Sequence, residues 1–291
     1  MRMMRFVVSG LLLAVVVSSV MHADEPQAVN IFGLPEKAIA NSGTLVIAGG
    51  GDLSEGIYEE FVRLAGGEKA RIVLIPSAYP YDGMNHIQNA FAGWKDYKVT
   101  SFDFLHTDEP ADANSPEFTR ALEQATGVWI PGGGQDRLIY RYGNSLVEKM
   151  LHRVLERGGV IGGTSAGASV LSQLMISYGS HTEAVVDRGL ALTSRLVIDQ
   201  HFSERGRFPR LLGVLEDNPT HIGLGVDEAT AVVLQGNRLK VMGEGRATLC
   251  FGPAREGDGT MVHRLKAGQE ADVTLRSVKS GPDSYAVQLK P

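Results

Sequence analysis

Ser165 stands in Gly163-Thr164-Ser165-Ala166-Gly167, a G-x-S-x-G pattern whose glycines let a strained turn lift a serine hydroxyl clear of the backbone at the start of a helix. The apolar run Gly159-Val160-Ile161 precedes it, and Ser169-Val170-Leu171-Ser172-Gln173-Leu174-Met175 follows. The stretch therefore reads as a buried strand turning sharply into a helix. Taken alone it is an ordinary capped turn. It becomes a nucleophile only if a base lies within hydrogen-bond reach and an acid orients that base.

Eight histidines are available. His22 falls in an N-terminal apolar leader, His152 lies on a helix, and His86, His106, His181, His221 and His263 have no charged constellation beside them. His201 differs, because Ile198-Asp199-Gln200-His201-Phe202 places it at the end of an apolar strand. The acid has a matching setting in Gly225-Val226-Asp227-Glu228-Ala229-Thr230-Ala231, two carboxylates between two strands. A serine, a histidine and an acid each at a strand end, in the order Ser165, His201, Glu228, make a coherent set. An α/β-hydrolase places its acid between serine and histidine. Here Glu183, Asp187 and Asp199 are the acids in that interval, and Asp199 is too near His201 along one strand, so a lipase or esterase reading is disfavoured.

These residues need a scaffold that gathers strand ends. Thr44 to Ala48 reads as a strand closed by Gly49-Gly50-Gly51, and the next helix carries Ile57, Phe61, Leu64 and Ala65 on one face before Gly66-Gly67 caps it. Arg71 to Ile75 is a strand, Met84 to Trp94 a helix and Lys98 to Leu105 a strand; Ser115-Pro116-Glu117 then opens a helix that ends at Gly127. Val128-Trp129-Ile130 is a strand cut off by Pro131-Gly132-Gly133-Gly134, and Asn144 or Ser145 caps a helix through Leu146, Met150, Leu151, Val154 and Leu155. Such alternation predicts an α/β fold, a mostly parallel sheet with helices on both faces and ligands at the carboxyl ends of its strands. The turns at Gly49 to Gly51, Gly132 to Gly134 and Gly162 to Gly167 should share one rim. Further on, Leu196 to Gln200 is a strand, Leu211, Leu212 and Leu215 mark a helix, and Ile222 to Val226, Ala229 to Leu234 and Leu239 to Met242 are strands. From Arg246 the short alternating runs predict antiparallel strands.

The chain has 291 residues, 43% hydrophobic and 21% charged, with a net charge of -5. That is enough for a sizeable core, and the mildly acidic balance without a basic stripe argues against a nucleic-acid partner. Arg2 and Arg5 followed by the apolar run Phe6 to Val20 read as an export signal ending at Met21-His22-Ala23. The expected organisation is a signal peptide over 1–23, a lead-in over 24–42, a catalytic domain over 43–250 and a β-rich extension over 251–291, in a periplasmic or extracellular protein. Cys250 is the single cysteine, so no internal disulfide can form, and its apolar strand makes it a buried hydrophobe. No His/Cys cluster has metal-ligand spacing, and neither a metal nor another cofactor is expected.

Pro131-Gly132-Gly133-Gly134-Gln135, Gly162 to Ala168, Asp199-Gln200-His201-Phe202-Ser203-Glu204-Arg205-Gly206-Arg207 with Arg210, and Gly225 to Ala231 together resemble cyanophycinase and its relatives among the S51 serine peptidases. The resemblance runs from about Gly43 to Gly245. It implies a flavodoxin-like, class I glutamine-amidotransferase-like fold and a triad of Ser165, His201 and Glu228. It also implies an oxyanion hole from the N–H groups of Gly133 and Ala166, and a substrate pocket lined by Gln135, Asp199, Gln200, Arg205, Arg207 and Arg210. Cyanophycinases release β-Asp-Arg dipeptides from a polymer of aspartates that carry arginine on their β-carboxyls. An arginine fork suits a free carboxylate in such a substrate.

The expectation is thus an exported serine exopeptidase acting on cyanophycin or similar isoaspartyl peptides. Its expected partners are that substrate and a second copy of the chain, with no nucleic acid and, after signal cleavage, no membrane. An aspartyl dipeptidase acting on small Asp-X peptides is the nearest alternative, and a peptide-binding relative without turnover is another. A glutamine amidotransferase is disfavoured because serine, not cysteine, holds the nucleophile position.

Overall fold

The computed structural model describes residues 43–79, 93–252, 259–273, 277–279 and 284–287. The expected leader and lead-in over residues 1–42, and all but the end of the helix expected over 84–94, lie outside the described residues.

Five strands form the parallel centre of a nine-stranded sheet: β1 (Thr44–Ala48), β2 (Arg71–Leu74), β3 (Ser101–Phe104), β4 (Gly127–Ile130) and β5 (Val160–Thr164), side by side in the order β1-β5-β4-β2-β3. Strands buried on both faces must be apolar throughout, and every residue of β1 and β4 is buried. Alternate side chains serve opposite faces. Val46, Ile72, Leu74 and Trp129 pack with Ile57, Phe61 and Val62 of α1 (Glu55–Leu64). There Phe61, Trp94 and Trp129 meet edge to face at centroid separations of 5.1–5.5 Å, contacts worth about 0.5–1.5 kcal/mol each beyond their area. Leu45, Ile47, Val73, Val128, Ile130 and Ile161 face the other core, with α2 (Pro116–Gln124), α3 (Gln135–Tyr142) and α4 (Leu146–Glu156). Helices therefore cover both faces. Gly127, expected as the end of α2, is the first residue of β4.

Ser115 and Ser145 cap α2 and α4, their hydroxyls accepting from the Phe118 and Glu148 N–H groups, each at 3.4 Å. Glu148 reaches back to the Asn144 N–H at 2.6 Å, a variant of the reciprocal capping box.

The second half departs from one simple sheet. β8 (Leu196–Gln200) and β9 (Ile222–Val226) pair in parallel in a separate five-stranded sheet with β12 (Arg246–Phe251), β13 (Thr260–Lys266) and β16 (Ser284–Val287). Leu196, Ile198, Leu224 and Val226 turn one face of it to the main core, while Val197, Cys250 and Val262 pack under Leu211 and Leu215 of α6 (Phe208–Asp217). β10 (Thr230–Gln235), β11 (Arg238–Gly243), β14 (Glu270–Asp272) and β15 (Ser277–Lys279) extend the main sheet antiparallel from β1. The antiparallel strands expected after Arg246 thus feed both sheets. The helix expected to run on from Ser165 is a single turn, α5 (Ala166–Ser169), because Leu174 already starts β6 (Leu174–Gly179), which forms a hairpin with β7 (Ala184–Arg188).

Register sets the site. Ala48 lies opposite Thr164, and Ile130 opposite Gly163, so the turns after β1, β4 and β5 emerge on one rim. In the second sheet Gln200 lies opposite Val226, bringing His201 level with Asp227. The chain then crosses from β9 to β10, beside β1, and Glu228 sits at that crossing.

Candidate active site

β5 delivers Ser165 to the rim, and the chain must reverse within one residue to enter α5. Ser165 takes φ 54° and ψ −117°, a conformation that costs a non-glycine residue roughly 1–3 kcal/mol. Its neighbours enforce it: the Ser165 N–H donates to the Ala48 carbonyl at 3.1 Å, and its own carbonyl accepts from the Ala168 and Ser169 N–H groups at 3.0 and 3.1 Å. The hydroxyl is left against the His201 ring, with Oγ 2.8 Å from Nε2.

His201 leaves β8 at φ 46°, its N–H donating to the Gly49 carbonyl at 2.8 Å. Its Nδ1 is 2.5 Å from Glu228 Oε1. A carboxylate accepts only, so Nδ1 carries the proton and Nε2 presents its lone pair to the Ser165 hydroxyl. Ala229, just after Glu228, has φ 51° and donates its N–H to the Gly50 carbonyl at 2.9 Å. Three consecutive carbonyls at the end of β1, those of Ala48, Gly49 and Gly50, thus each hold one arm of the Ser165–His201–Glu228 set. This clamp was not foreseen; its signal was the glycine triplet after the first strand. Gly50 has to be glycine, since at φ 104° a Cβ would lie 2.3 Å from His201 Cε1.

Two further carboxylates brace the same loops. Asp227 turns away from His201, its oxygens accepting from the Ser203 and Arg246 N–H groups at 3.1 Å each. Glu204 accepts from the Glu228 N–H at 3.2 Å. Asp227 is a support for the turn that carries Glu228.

Burial holds the His201 imidazole below its ordinary value of 6.5, and the positive charges of Arg205 and Arg207 act in the same direction, against the Glu228 carboxylate. A general base works in its neutral form, so lowering this pKa extends activity to more acidic solution. The acid limb of kcat/KM is expected to have its midpoint below pH 6.5, and Arg205→Gln is expected to move it upward. A pH-rate series on both proteins checks this; a wild-type midpoint above 6.5, or a downward move, contradicts it.

The sequence model of peptidase family S51 matches residues 44–242, which include all three residues of this set. The chain belongs to peptidase family S51. It is 34% identical over 216 residues to the cyanophycinase of Synechococcus elongatus, an alignment covering 70% of this chain and 66% of that protein's length. With the cyanophycinase of Geminocystis herdmanii the identity is 34% over 232 residues, 75% of this chain and 84% of the relative. The crystal structure of a peptidase from an acI-B1 Actinobacterium superposes with a TM-score of 0.65 at 23% identity, over 79% of this chain and 96% of that one, and has the same fold.

The remaining residues expected in the S51 site are placed unevenly. Ala166 opens α5, and the Pro131–Gly134 loop runs alongside the serine, where a Cβ on Gly132 would lie 3.2 Å from Ser165 Cβ. Gln135 gives its side-chain N–H groups to the Ile176 and Ser177 carbonyls of β6, at 3.0 and 2.7 Å. Asp199 and Arg210, 1% and 4% exposed, form a bidentate pair with each other. Burial pushes the Asp199 carboxyl upward while the Arg210 bonds pull it down. Such a pair joins β8 to α6, and breaking it would strand a buried charge. Arg207 donates to the backbone and side-chain carbonyl oxygens of Gln200 and lies 3.5 Å from Asp199; burial lowers its guanidinium to about 10. Of the four substrate cations and carboxylates expected, Arg205 alone is exposed.

Cys250 is fully buried, and burial pushes its thiol up to about 12, which leaves it inert. Among the described residues no group of three or more His, Cys, Asp or Glu side chains could hold a metal ion, and no helix is long and apolar enough to cross a membrane.

Proposed function

We propose that this chain is a serine exopeptidase that cleaves the aspartyl backbone amides of cyanophycin or a similar isoaspartyl peptide, releasing β-Asp-Arg units with their β-linkage intact. The reading rests on one observation above all: Ser165 Oγ lies 2.8 Å from His201 Nε2, whose Nδ1 lies 2.5 Å from Glu228. Ser165 attacks the scissile carbonyl as His201 Nε2 takes its proton, and Glu228 stabilises the imidazolium through Nδ1. The oxyanion is received by the N–H groups of Ala166 and Gly133. His201 then returns the proton to the leaving amine, and a water activated by the same imidazole hydrolyses the acyl-enzyme.

The substrate class follows from the named relatives and from the free cation beside the histidine. Arg205 binds a free carboxylate of the peptide, while Asp199 with Arg210 and Gln200 with Arg207 shape the pocket wall by pairing with one another. In this reading residues 43–250 are the catalytic domain, residues 251–291 its β-rich extension, and the leader over 1–23 sends the enzyme out of the cytoplasm. Its substrate is then either polymer released by other cells or a different isoaspartyl peptide.

Incubating the chain with insoluble cyanophycin, and separately with β-Asp-Arg and α-linked Asp-X dipeptides, tests the assignment. Mass analysis is expected to show β-Asp-Arg accumulating from the polymer. Hydrolysis of dipeptides with an untouched polymer would replace it with an aspartyl dipeptidase, and no product from any of them would overturn it.

A further inference from the structure

His106, which has no charged residue immediately adjacent in the sequence, stands in a polar cluster of the folded chain. Its Nδ1 is 2.8 Å from Ser77 Oγ and its Nε2 is 3.8 Å from Asp108 Oδ2. Ser77 Oγ is also 2.6 Å from the Tyr142 hydroxyl, and the Ser77 carbonyl accepts from Arg141 Nη1 at 2.8 Å. Arg141 in turn pairs with Asp108. The trio of Ser77, His106 and Asp108 imitates a catalytic set, but Ser77 is 0% exposed and its hydroxyl is shared with a tyrosine. No substrate carbonyl can reach it.

What the cluster touches gives its role. Ser77 follows β2 on the same rim as Ser165, and the next residue, Ala78, accepts the Gly134 N–H at 2.7 Å and Arg137 Nη1 at 3.4 Å. Gly133, at φ 136°, presses so closely on it that a Cβ would lie 2.4 Å from the Ala78 carbonyl oxygen. Residues 77 and 78 are therefore pinned to both ends of α3, by Gly134 and Arg137 at its start and by Arg141 and Tyr142 at its end. The Gly132–Gly134 loop is the part of that assembly that faces the nucleophile. Burial raises the Tyr142 hydroxyl to about 12, so it stays protonated, and besides Ser77 it reaches the Leu105 carbonyl, to which it donates at 3.4 Å. Keeping Arg141 almost fully buried, with its Nε lacking a partner among the described residues, carries a desolvation cost that a merely space-filling side chain would avoid.

We propose that Ser77, locked by Tyr142, His106 and Arg141, is a positioning residue that sets the Gly133 N–H at the oxyanion through Ala78. The proposal rests on the peptidase reading above. An oxyanion donor counts only where charge develops, 2.7–3.1 Å from the transition-state oxygen, so a small displacement of the loop lowers turnover without weakening ground-state binding.

Ser77→Ala and Tyr142→Phe in the full chain are expected to lower kcat on the released peptide linkage by ~10–100-fold, less than deletion of a donor costs, with KM unchanged within about two-fold. A fluorophosphonate, whose phosphoryl oxygen needs the same donors, should label Ser165 more slowly by a similar factor. His106→Asn, which restores an acceptor near Nδ1, should recover most of what His106→Leu loses, and the acid limb set by His201 should stay in place in every variant. Cooperatively melting variants with wild-type kcat and labelling rate, a loss confined to KM, or a moved acid limb would each overturn the proposal. Labelling also separates the two readings. If wild type is labelled but cleaves nothing offered, the substrate assignment fails and the labelling rates still decide the strut; if it is neither labelled nor active, both fall.

Discussion

Ser165→Ala is expected to lower turnover of a cyanophycin-type peptide by roughly 10⁴-fold or more, the scale on which removal of a triad nucleophile acts. The hydroxyl is the group whose attack the other two assist, so without it His201 and Glu228 have no proton to move. The residual rate should come from the oxyanion donors and from substrate binding, and KM should change little. The fold should survive, because alanine at φ 54° bears the same backbone strain as serine and loses only the 2.8 Å bond to His201. Ser165→Gly sharpens the test. Release of roughly 1–3 kcal/mol of strain exceeds the entropic cost of about 0.5–1 kcal/mol for glycine, so this variant should melt above Ser165→Ala while remaining equally inactive. Initial rates and thermal melts on the three proteins decide it, and activity within tenfold of wild type in either variant would remove Ser165 from the mechanism.

Much of the fold could be read because buried parallel strands announce themselves. β1, β4 and β5 are short apolar runs ended by glycine turns, and α4 shows both a helical period and a capping serine. α3 escaped notice for a physical reason: Gln135-Asp136-Arg137-Leu138-Ile139-Tyr140-Arg141-Tyr142 is largely polar, and it is held by burial of Arg141 and Tyr142 against Ser77, a partner 64 and 65 residues away. The two-sheet arrangement was hidden for a similar reason. β9 and β10 are separated by three residues yet belong to different sheets, and nothing local to either says which non-adjacent strand it will pair with.

Within the site, the order Ser165, His201, Glu228 could be read, since each falls just past an apolar run. The partners of charged groups could not. Residue type tells that Arg210 needs an anion but not that Asp199, 11 residues earlier on another element, will supply it and leave Arg205 as the exposed cation. The Gly49-Gly50-Gly51 turn was visible as a turn only. That the carbonyls of Ala48, Gly49 and Gly50 carry the serine, the histidine and the turn of the acid depends on three crossings between strands far apart in sequence.

That clamp leads to the second large effect: Gly50→Ala should lower kcat by about 10³-fold although residue 50 supplies no group that takes part in the reaction. The new Cβ would fall 2.3 Å from His201 Cε1 and 2.5 Å from Nε2, so ring and methyl cannot coexist. His201 cannot simply retreat, because its N–H is fixed to the Gly49 carbonyl at 2.8 Å and its Nδ1 to Glu228 at 2.5 Å. The cheapest relaxation turns the imidazole off Ser165 Oγ. A displacement of about 1 Å in a positioned group costs ~10²-fold in rate, and a base that no longer reaches its nucleophile loses more. Stability should fall too, since alanine at φ 104° adds roughly 1–3 kcal/mol of strain. Gly56→Ala is the control: in α1, with no atom within 4 Å of a new Cβ, it should keep full activity and gain about 0.5–1 kcal/mol from helix propensity. Rates and melts on both variants are the measurement, and a Gly50→Ala enzyme that turns over like wild type would show that the histidine is not held where the clamp puts it.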